Sequence, residues 1–296
     1  MGRRLGKDQF VRSDGLGNDY LVVDPRRLSF RLTRGNIVRV CDRHRGAGSD
    51  GILVLEKPTT RGSAARLRIF NPDGSEAEKS GNGLRIFCKF LFEHGYVGRR
   101  CFDVETAGGR VTATLHGKGR RVPEVTVDMG RASFDAAVIP VKGFVGEVVE
   151  KAIEVQGAPR PLVVTCVSVG NPHCVVFTDS LNEQETCRLG ARLENHPRFP
   201  NRSNVQFARV KSRREVAIQI WERGAGWTLA SGSSSCAVAA ACVRTGRTDR
   251  DLTVAMPGGS LGILVGSDWA IRMRGPVSEI CLGTFAGDLL NDLRKG

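Results

Sequence analysis

The chain has 296 residues, of which 41% are hydrophobic and 25% charged, a composition typical of a water-soluble globular protein long enough for two domains. Its formal net charge is +13, but the basic residues stand in small scattered groups such as 25–27, 119–121 and 211–214, without interleaved aromatic residues. This pattern argues against a nucleic-acid partner and predicts an arginine-rich surface that attracts anionic substrates.

Strand-like segments dominate the first half of the chain. They are short, rich in β-branched or alternating residues, and bounded by Gly, Asp or Pro. The predicted strands are 20–24, 51–57, 65–71, 102–117 and 124–130. Apolar spacing predicts one helix over 36–44 and a second over 83–95. The second is almost continuously apolar, so we expect it to be buried and to end at Gly95.

The second half repeats this order of elements. The predicted strands are 162–179 (two strands broken by Gly-Asn-Pro), 204–210, 215–224, 252–265 and 269–276. Another apolar helix is predicted over 233–246. Strands, a buried helix and further strands therefore occur twice, which indicates an α+β fold with a duplicated architecture. We expect an N-terminal domain of residues 1–130, to which residues 277–296 return, and a C-terminal domain of residues 131–276.

The cysteines and histidines give no sign of a metal site. None of the nine cysteines has a CxxC or zinc-ligand spacing, and several lie in apolar runs. This favours buried free thiols in a reducing compartment. Four histidines likewise lack metal-ligand spacing and are interpreted as structural: His44, His94, His116 and His196.

The N-terminus and the apolar runs predict a cytoplasmic protein. The first ten residues lack the apolar segment of a secretory signal. The longest apolar run, near residues 236–243, is far too short to span a bilayer. We therefore expect no membrane association.

Both apolar helices begin at a serine followed by small residues, Ser80 in SGNG and Ser231 in SGSSS. Such N-termini present backbone N–H groups and the positive end of the helix dipole, which suits them to bind a carboxylate. Serine is also a good helix N-cap, so a purely structural role for Ser80 and Ser231 stays open.

Four segments together resemble the diaminopimelate epimerase family. They are GLGNDYLVVD (15–24), FNPDGSEAEKSGNGLR (70–85), VSVGNPHCVVF (167–177) and ERGAGWTLASGSSSCAVAAA (222–241). Minor matches in DRHRGAGSDGI, NVQF and MPGGSLGI keep the expected order. The resemblance runs from about residue 10 to residue 283.

The resemblance implies an isomerase that works without PLP or any other cofactor. Its substrate would be LL-diaminopimelate, which is epimerised to meso-diaminopimelate in lysine biosynthesis, or a related amino acid. The implied fold has two pseudo-symmetric domains, each a mostly antiparallel, barrel-like sheet around a central buried helix. The active site would lie in the cleft between the domains, and the family suggests a homodimer.

In this family a catalytic cysteine stands at each of the two helix N-termini. One thiolate removes the α-proton and the opposite thiol supplies a proton to the other face. This chain has Ser80 and Ser231 at these positions. A thiol has a pKa of ~8.5, whereas a serine hydroxyl is a far weaker acid and needs an adjacent base. Cys236 lies more than one helical turn beyond Ser231, and we do not expect it to substitute.

Other site residues follow from the resemblance alone. Glu222 and His173 would stand beside the catalytic pair and assist proton movement. The predicted substrate-binding residues are Asn18, Asn71, Gly81, Asn82, Asn171, Asn204, Arg223, Gly232 and Ser233. Gly81, Asn82, Gly232 and Ser233 would bind the α-carboxylate, whereas Asn71, Asn171, Asn204 and Arg223 would hold the distal part of the substrate.

Each of these assignments has a structural alternative. The asparagines sit in turn-like segments, where Asn is common for its backbone geometry. Glu222 and Arg223 could form a surface ion pair, and His173 could be a turn residue.

Three interpretations of the two serines stay open. The chain is a native racemase that uses hydroxyl groups, or the serines were introduced to trap a substrate in a working epimerase. In the third interpretation the protein no longer racemises its ligand: it either binds an amino acid without catalysis or catalyses a related isomerisation or elimination. Lys79, and Trp227 where the family usually has Glu, indicate natural divergence, and Trp227 argues for a modified pocket.

Overall fold

The computed structural model describes residues 4–78 and 80–295, so that Lys79 lies outside the described residues. The chain divides into two compact units: residues 1–127 with 275–296, and residues 128–274. Strands and helices both contribute to each unit, which confirms the predicted α+β class.

The first unit contains a mixed sheet and, among its described residues, three α-helices. Its strands are β1 (Gln9–Gly15), β2 (Asn18–Val23), β3 (Ile52–Glu56), β4 (Ala65–Phe70), β5 (Glu76–Ala77), β6 (Cys101–Thr106), β7 (Gly109–His116), β8 (Glu124–Arg131) and β18 (Ser278–Thr284). Its helices are α1 (Arg34–Cys41), α2 (Gly81–Glu93) and α5 (Gly287–Lys295), with a 3-10 turn at Pro25–Arg27.

The second unit contains two helices among its described residues. Its strands are β9 (Lys151–Ile153), β10 (Leu162–Ser168), β11 (Pro172–Phe177), β12 (Asn204–Ser212), β13 (Glu215–Glu222), β14 (Gly226–Thr228), β15 (Asp251–Met256), β16 (Gly259–Val265) and β17 (Ala270–Pro276). Its helices are α3 (Glu183–Glu194) and α4 (Gly232–Arg244).

The strand pairings of the two units follow the same plan. In the first unit they run β1–β2–β3–β4–β6–β7–β8, with only β2–β3 and β4–β6 parallel. In the second they run β10–β11–β12–β13–β15–β16–β17, with only β11–β12 and β13–β15 parallel. The topology therefore confirms the predicted duplication.

A central helix fills the core of each unit. Helix α2 packs against β1, β2, β4 and β7, and its residues from Asn82 to Phe92 are all buried. Helix α4 packs against β10, β11, β12, β15 and β16. Both helices are followed by a glycine with positive φ, Gly95 at 73° and Gly246 at 69°, as a left-handed C-terminal turn requires.

Three predictions about elements and cysteines need correction. The helix predicted over 36–44 ends at Cys41, because the Asp42 carboxylate accepts the backbone N–H groups of His44 and Arg45 and turns the chain. Helix α3 was not predicted at all. Six of the nine cysteines are buried free thiols as expected, but Cys101 and Cys281 are exposed.

Candidate functional site

The hydroxyl group of Ser80 closes the first turn of α2. Ser80 is the N-cap residue, and its Oγ accepts the backbone N–H of Gly83 at 3.1 Å. The hydroxyl of Tyr20 on β2 lies 3.4 Å from the same oxygen. The structural role that serine commonly has at a helix start is therefore present at Ser80.

Two of the predicted binding residues meet beside this turn. Asn82 Nδ2 donates to Asn18 Oδ1 at 3.3 Å, and Asn18 Nδ2 donates to Asp50 Oδ2 at 3.1 Å. On the other side, the fully buried Arg85 donates to Asn82 Oδ1 at 2.9 Å. Because a guanidinium only donates and a carboxylate only accepts, Arg85 and Asp50 fix the orientation of both amides. Sequence reasoning identified the asparagines but missed Arg85 and Asp50.

Asn71 has a different setting from Asn18 and Asn82. Its side chain donates to Ser75 Oγ at 2.9 Å, and its backbone N–H donates to the Ser75 carbonyl at 2.8 Å. These bonds close the turn between β4 and β5. The contacts of Asn71 are thus those of the turn residue that the alternative interpretation described.

Ser231 stands at the matching position of α4 but makes different contacts. It is the N-cap residue without any side-chain bond to the first turn. Its hydroxyl instead lies beside the Glu222 carboxyl group, whose pKa is raised by burial, with the Ser231 hydroxyl acting in the opposite direction. Gly232 and Ser233 begin the helix, where backbone N–H groups have no intrahelical partner. A hydroxyl, a carboxyl group of raised pKa and open N–H groups therefore meet at one helix start.

His173 lies at the start of β11 and is completely buried. Its Nε2 is 2.9 Å from Asn171 Oδ1, and its Nδ1 is 3.1 Å from Gln206 Nε2. Burial, with the positive charge of Arg223 adding to it, lowers the pKa of His173 to about 3. The imidazole is therefore neutral at physiological pH, with both ring nitrogens bonded to protein.

Asn204 and Arg223 are joined on the same unit. Asn204 Nδ2 donates to the Pro172 carbonyl at 2.9 Å, and Asn204 Oδ1 accepts the backbone N–H of Arg223 at 3.0 Å. The Arg223 guanidinium is exposed and donates to the Asn201 carbonyl at 3.1 Å. Its described bonds do not include Glu222, so the alternative of a surface ion pair between these neighbours finds no support.

Comparison with known proteins shows to which family this chain belongs. The sequence profile described as diaminopimelate epimerase matches residues 10–135 and 165–280. This chain belongs to the diaminopimelate epimerase family. It is 44% identical over 282 residues to diaminopimelate epimerase 2 of Nostoc sp. (strain PCC 7120 / SAG 25.82 / UTEX 2576), covering 95% of this chain and 96% of that protein. Identity to diaminopimelate epimerase of Moorella thermoacetica is 40% over 287 residues, with 94% and 99% covered.

Solved structures agree on the fold. A hydroxyproline epimerase from Agrobacterium vitis superposes with a TM-score of 0.69 at 15% identity, covering 94% of this chain and 90% of that one. Methylitaconate-delta-isomerase gives a TM-score of 0.66 at 12% identity, with 96% and 98% covered. At such low identity these likenesses establish the architecture alone, whereas the diaminopimelate epimerase relatives place the chain among the isomerases.

One apparent departure from the diaminopimelate epimerase pattern lies away from Glu222. Trp227 on β14 pairs directly with Trp221 on β13, and its indole N–H donates to Gln219 Oε1 at 2.8 Å. Since side chains alternate along a strand, these three side chains share one face of the hairpin and Glu222 points to the other. The inference that Trp227 modifies the pocket is therefore not supported.

Cys236 and the possible metal-binding side chains of the described residues give no alternative chemistry to the serines. Cys236 is fully buried within α4, as expected for a core residue. The described residues contain no group of three or more His, Cys, Asp or Glu side chains that could hold a metal ion. In residues 4–78 and 80–295, no helix is long and apolar enough to cross a membrane.

Proposed function

We propose that this chain is a cytoplasmic, cofactor-independent amino-acid epimerase of the diaminopimelate type, active in lysine biosynthesis. Its substrate would be LL-diaminopimelate or a close relative, and Ser80 and Ser231 would take the two proton-transfer positions. The observation that supports the proposal is the placement of the Ser231 hydroxyl beside the buried Glu222 carboxyl group, because a serine hydroxyl can act as a base only with a neighbouring proton acceptor.

We assign the following roles to the site residues. When the Ser231 hydroxyl takes the α-proton, its own proton passes to the Glu222 carboxylate. The carbanion charge spreads onto the substrate carboxylate, which the N–H groups of Gly81, Gly232 and Ser233 and the amide of Asn82 would bind. Ser80, with the Tyr20 hydroxyl 3.4 Å away as a proton source, would return a proton to the opposite face. The opposite direction of epimerisation exchanges these two roles.

Asn18, Asn71, Asn171, Asn204 and Arg223 would set the substrate preference. The exposed Arg223 guanidinium suits a distal carboxylate, with which it would form a bidentate pair. His173 is neutral and bonded through both ring nitrogens, so we assign it to orienting Asn171 rather than to transferring a proton itself.

A non-catalytic binding module is the second candidate, and the capping of α2 favours it. Ser80 already accepts the Gly83 N–H, as a purely structural serine would. Such a module would keep the carboxylate-binding helix starts and lose the proton transfer.

Proton exchange separates the two candidates. In D2O with LL-diaminopimelate, we expect loss of the α-proton signal by NMR without added PLP or metal. Glu222→Gln should slow the exchange roughly 100-fold or more, because positioned acid–base groups contribute about that much. The matched control is Glu215→Gln on the same strand, whose carboxylate bonds only the exposed Lys211 among the described residues. Tight binding with no exchange would establish the module instead.

We also propose that the protein forms a homodimer through β18. The first five residues of this strand are all exposed, and they include Ile280 at 54% and Leu282 at 50% exposure. Ile280 is the extra residue where the β1–β18 register shifts, and Leu282 follows two residues later, so these two exposed apolar side chains are close enough to contribute to one patch. Contact with a second copy would bury it.

Light scattering after gel filtration tests the dimer. The wild type is expected at twice the chain mass of 32.1 kDa, and the Ile280→Lys/Leu282→Lys variant at the chain mass. Val163→Lys serves as the matched control, because Val163 is equally exposed at 52% but lies on β10. A dimer that survives the double substitution would exclude β18 as the interface.

A further inference from the structure

A buried chain of polar side chains connects α4 with the predicted binding residue Asn171. Gln206 on β12 is completely buried, and its Nε2 lies 3.0 Å from Ser234 Oγ and 3.1 Å from His173 Nδ1. The opposite ring nitrogen of His173 contacts Asn171 Oδ1 at 2.9 Å. Four residues from two strands, a turn and a helix thus form one continuous path.

The Gln206 side chain uses only its donor end in this path. Its Oε1 is buried and has no hydrogen-bond partner within the described part of the chain. Two N–H groups of Gln206 therefore serve two acceptors, the hydroxyl oxygen of Ser234 and one nitrogen of His173. A neutral imidazole has one donor and one acceptor nitrogen. Because the Gln206 NH2 group donates to Nδ1, Nδ1 must be the acceptor and the ring proton must be on Nε2.

The position of the ring proton on His173 also determines the orientation of the Asn171 side-chain amide. If His173 donates from Nε2, Asn171 must present its carbonyl oxygen to the ring and its NH2 group to the other side. Asn171 is only partly buried, so this NH2 group can reach a ligand. An amide NH2 donates to a carboxylate, whereas a flipped amide would present an oxygen and repel it.

We propose that Gln206 is a positioning residue that holds His173 in the Nε2–H tautomer and thereby directs the NH2 group of Asn171 toward the substrate. The tautomer is a property of the protein alone. The effect on substrate binding rests on the proposed function, with Asn171 as a substrate-binding residue.

Long-range 1H–15N correlation spectra of the full-length, 15N-labelled protein test the tautomer. We expect a wild-type His173 ring protonated at Nε2 and unprotonated at Nδ1, assigned by the signals that disappear in His173→Gln. In Gln206→Glu the carboxylate only accepts, so the proton should move to Nδ1 or be shared by both nitrogens. Gln219→Glu is the matched control, because Gln219 bonds Trp227 on another strand, and it should leave the His173 signals unchanged.

Binding of LL-diaminopimelate supplies the second readout. Gln206→Glu and Asn171→Ala should each weaken binding roughly tenfold or more, since a hydrogen bond to a charged group is lost. Only Gln206→Glu should change the tautomer, which a merely structural role would not do selectively.

The outcomes are separable. A wild-type ring protonated at Nδ1, which needs no variant to observe, overturns the proposal, as does an unchanged tautomer in folded Gln206→Glu. A wild type with the expected tautomer that binds no diaminopimelate argues against the proposed function and leaves the role of Gln206 toward His173 standing.

Discussion

Replacing Ser80 and Ser231 together by cysteine is expected to accelerate α-proton exchange by roughly 100-fold or more. The pKa of a free thiol is ~8.5, and a helix N-terminus can lower it toward about 7. The helix dipole contributes at most about 2 kcal/mol, which is far too little to ionise a serine hydroxyl. The measurement is loss of the α-proton signal of LL-diaminopimelate in D2O, with wild type and double variant at equal concentration.

The single variants should differ in stability. Ser80 caps its helix and Ser231 does not, so Ser80→Cys should cost about 1 kcal/mol of unfolding free energy and Ser231→Cys clearly less. Cys236→Ser in the double-cysteine background checks that the buried thiol takes no part in exchange. If the folded double variant exchanged nothing, the interpretation of a trapped, otherwise intact epimerase would fail.

Acidification from pH 6.5 to pH 5 should destabilise the protein by up to about 1.4 kcal/mol per pH unit. His173 has its pKa lowered to about 3 by burial, whereas an unfolded histidine titrates near 6.5. Below pH 6.5 the unfolded chain therefore binds a proton that the folded chain does not, and stability falls until about pH 3. Urea unfolding at several pH values measures this slope.

Two variants isolate the histidine in this measurement. His173→Gln should flatten the slope between pH 6.5 and 5. Glu222 acts in the opposite direction, because its raised pKa favours the folded state once the carboxyl group is protonated, so Glu222→Gln should steepen the slope. The carboxyl groups with lowered pKa values, such as Asp19 and Asp24, lose their contribution only below about pH 4. A curve that stays flat from pH 6.5 to 5 in the Glu222→Gln variant would contradict the burial of a neutral His173.

Local pattern was sufficient for most elements but not for their ends. The apolar periodicity of α2 and α4 predicted both central helices within two residues at each end. The overextension of α1 came from Asp42, a side chain that fits a helix pattern yet bonds the backbone beyond it. Helix α3 was missed although its buried residues Thr186, Leu189, Gly190 and Leu193 have helical spacing. The duplicated topology also indicated it, because α1 occupies the equivalent position between β2 and β3.

In the candidate site, too, local sequence did not predict the side-chain contacts. The two serine-glycine helix starts are nearly the same in sequence, yet Ser80 accepts the Gly83 N–H whereas Ser231 makes no cap bond and lies beside Glu222. Trp227 and Glu222 are close in sequence but lie on opposite faces of a hairpin. No local signal distinguishes these cases, since each depends on strand register or on a partner distant along the chain.

The sequence by itself determined the family, the duplicated α+β architecture and the presence of a serine at each helix start, because these depend on residue order and on short-range periodicity. Only the tertiary structure decided that Ser80 caps while Ser231 meets a carboxyl group, and that His173 is buried, neutral and held by Gln206. The physical reason is that hydrogen-bond partners and desolvation are set by which strands and helices come together, and a pKa responds to that environment rather than to the neighbouring residues in the chain.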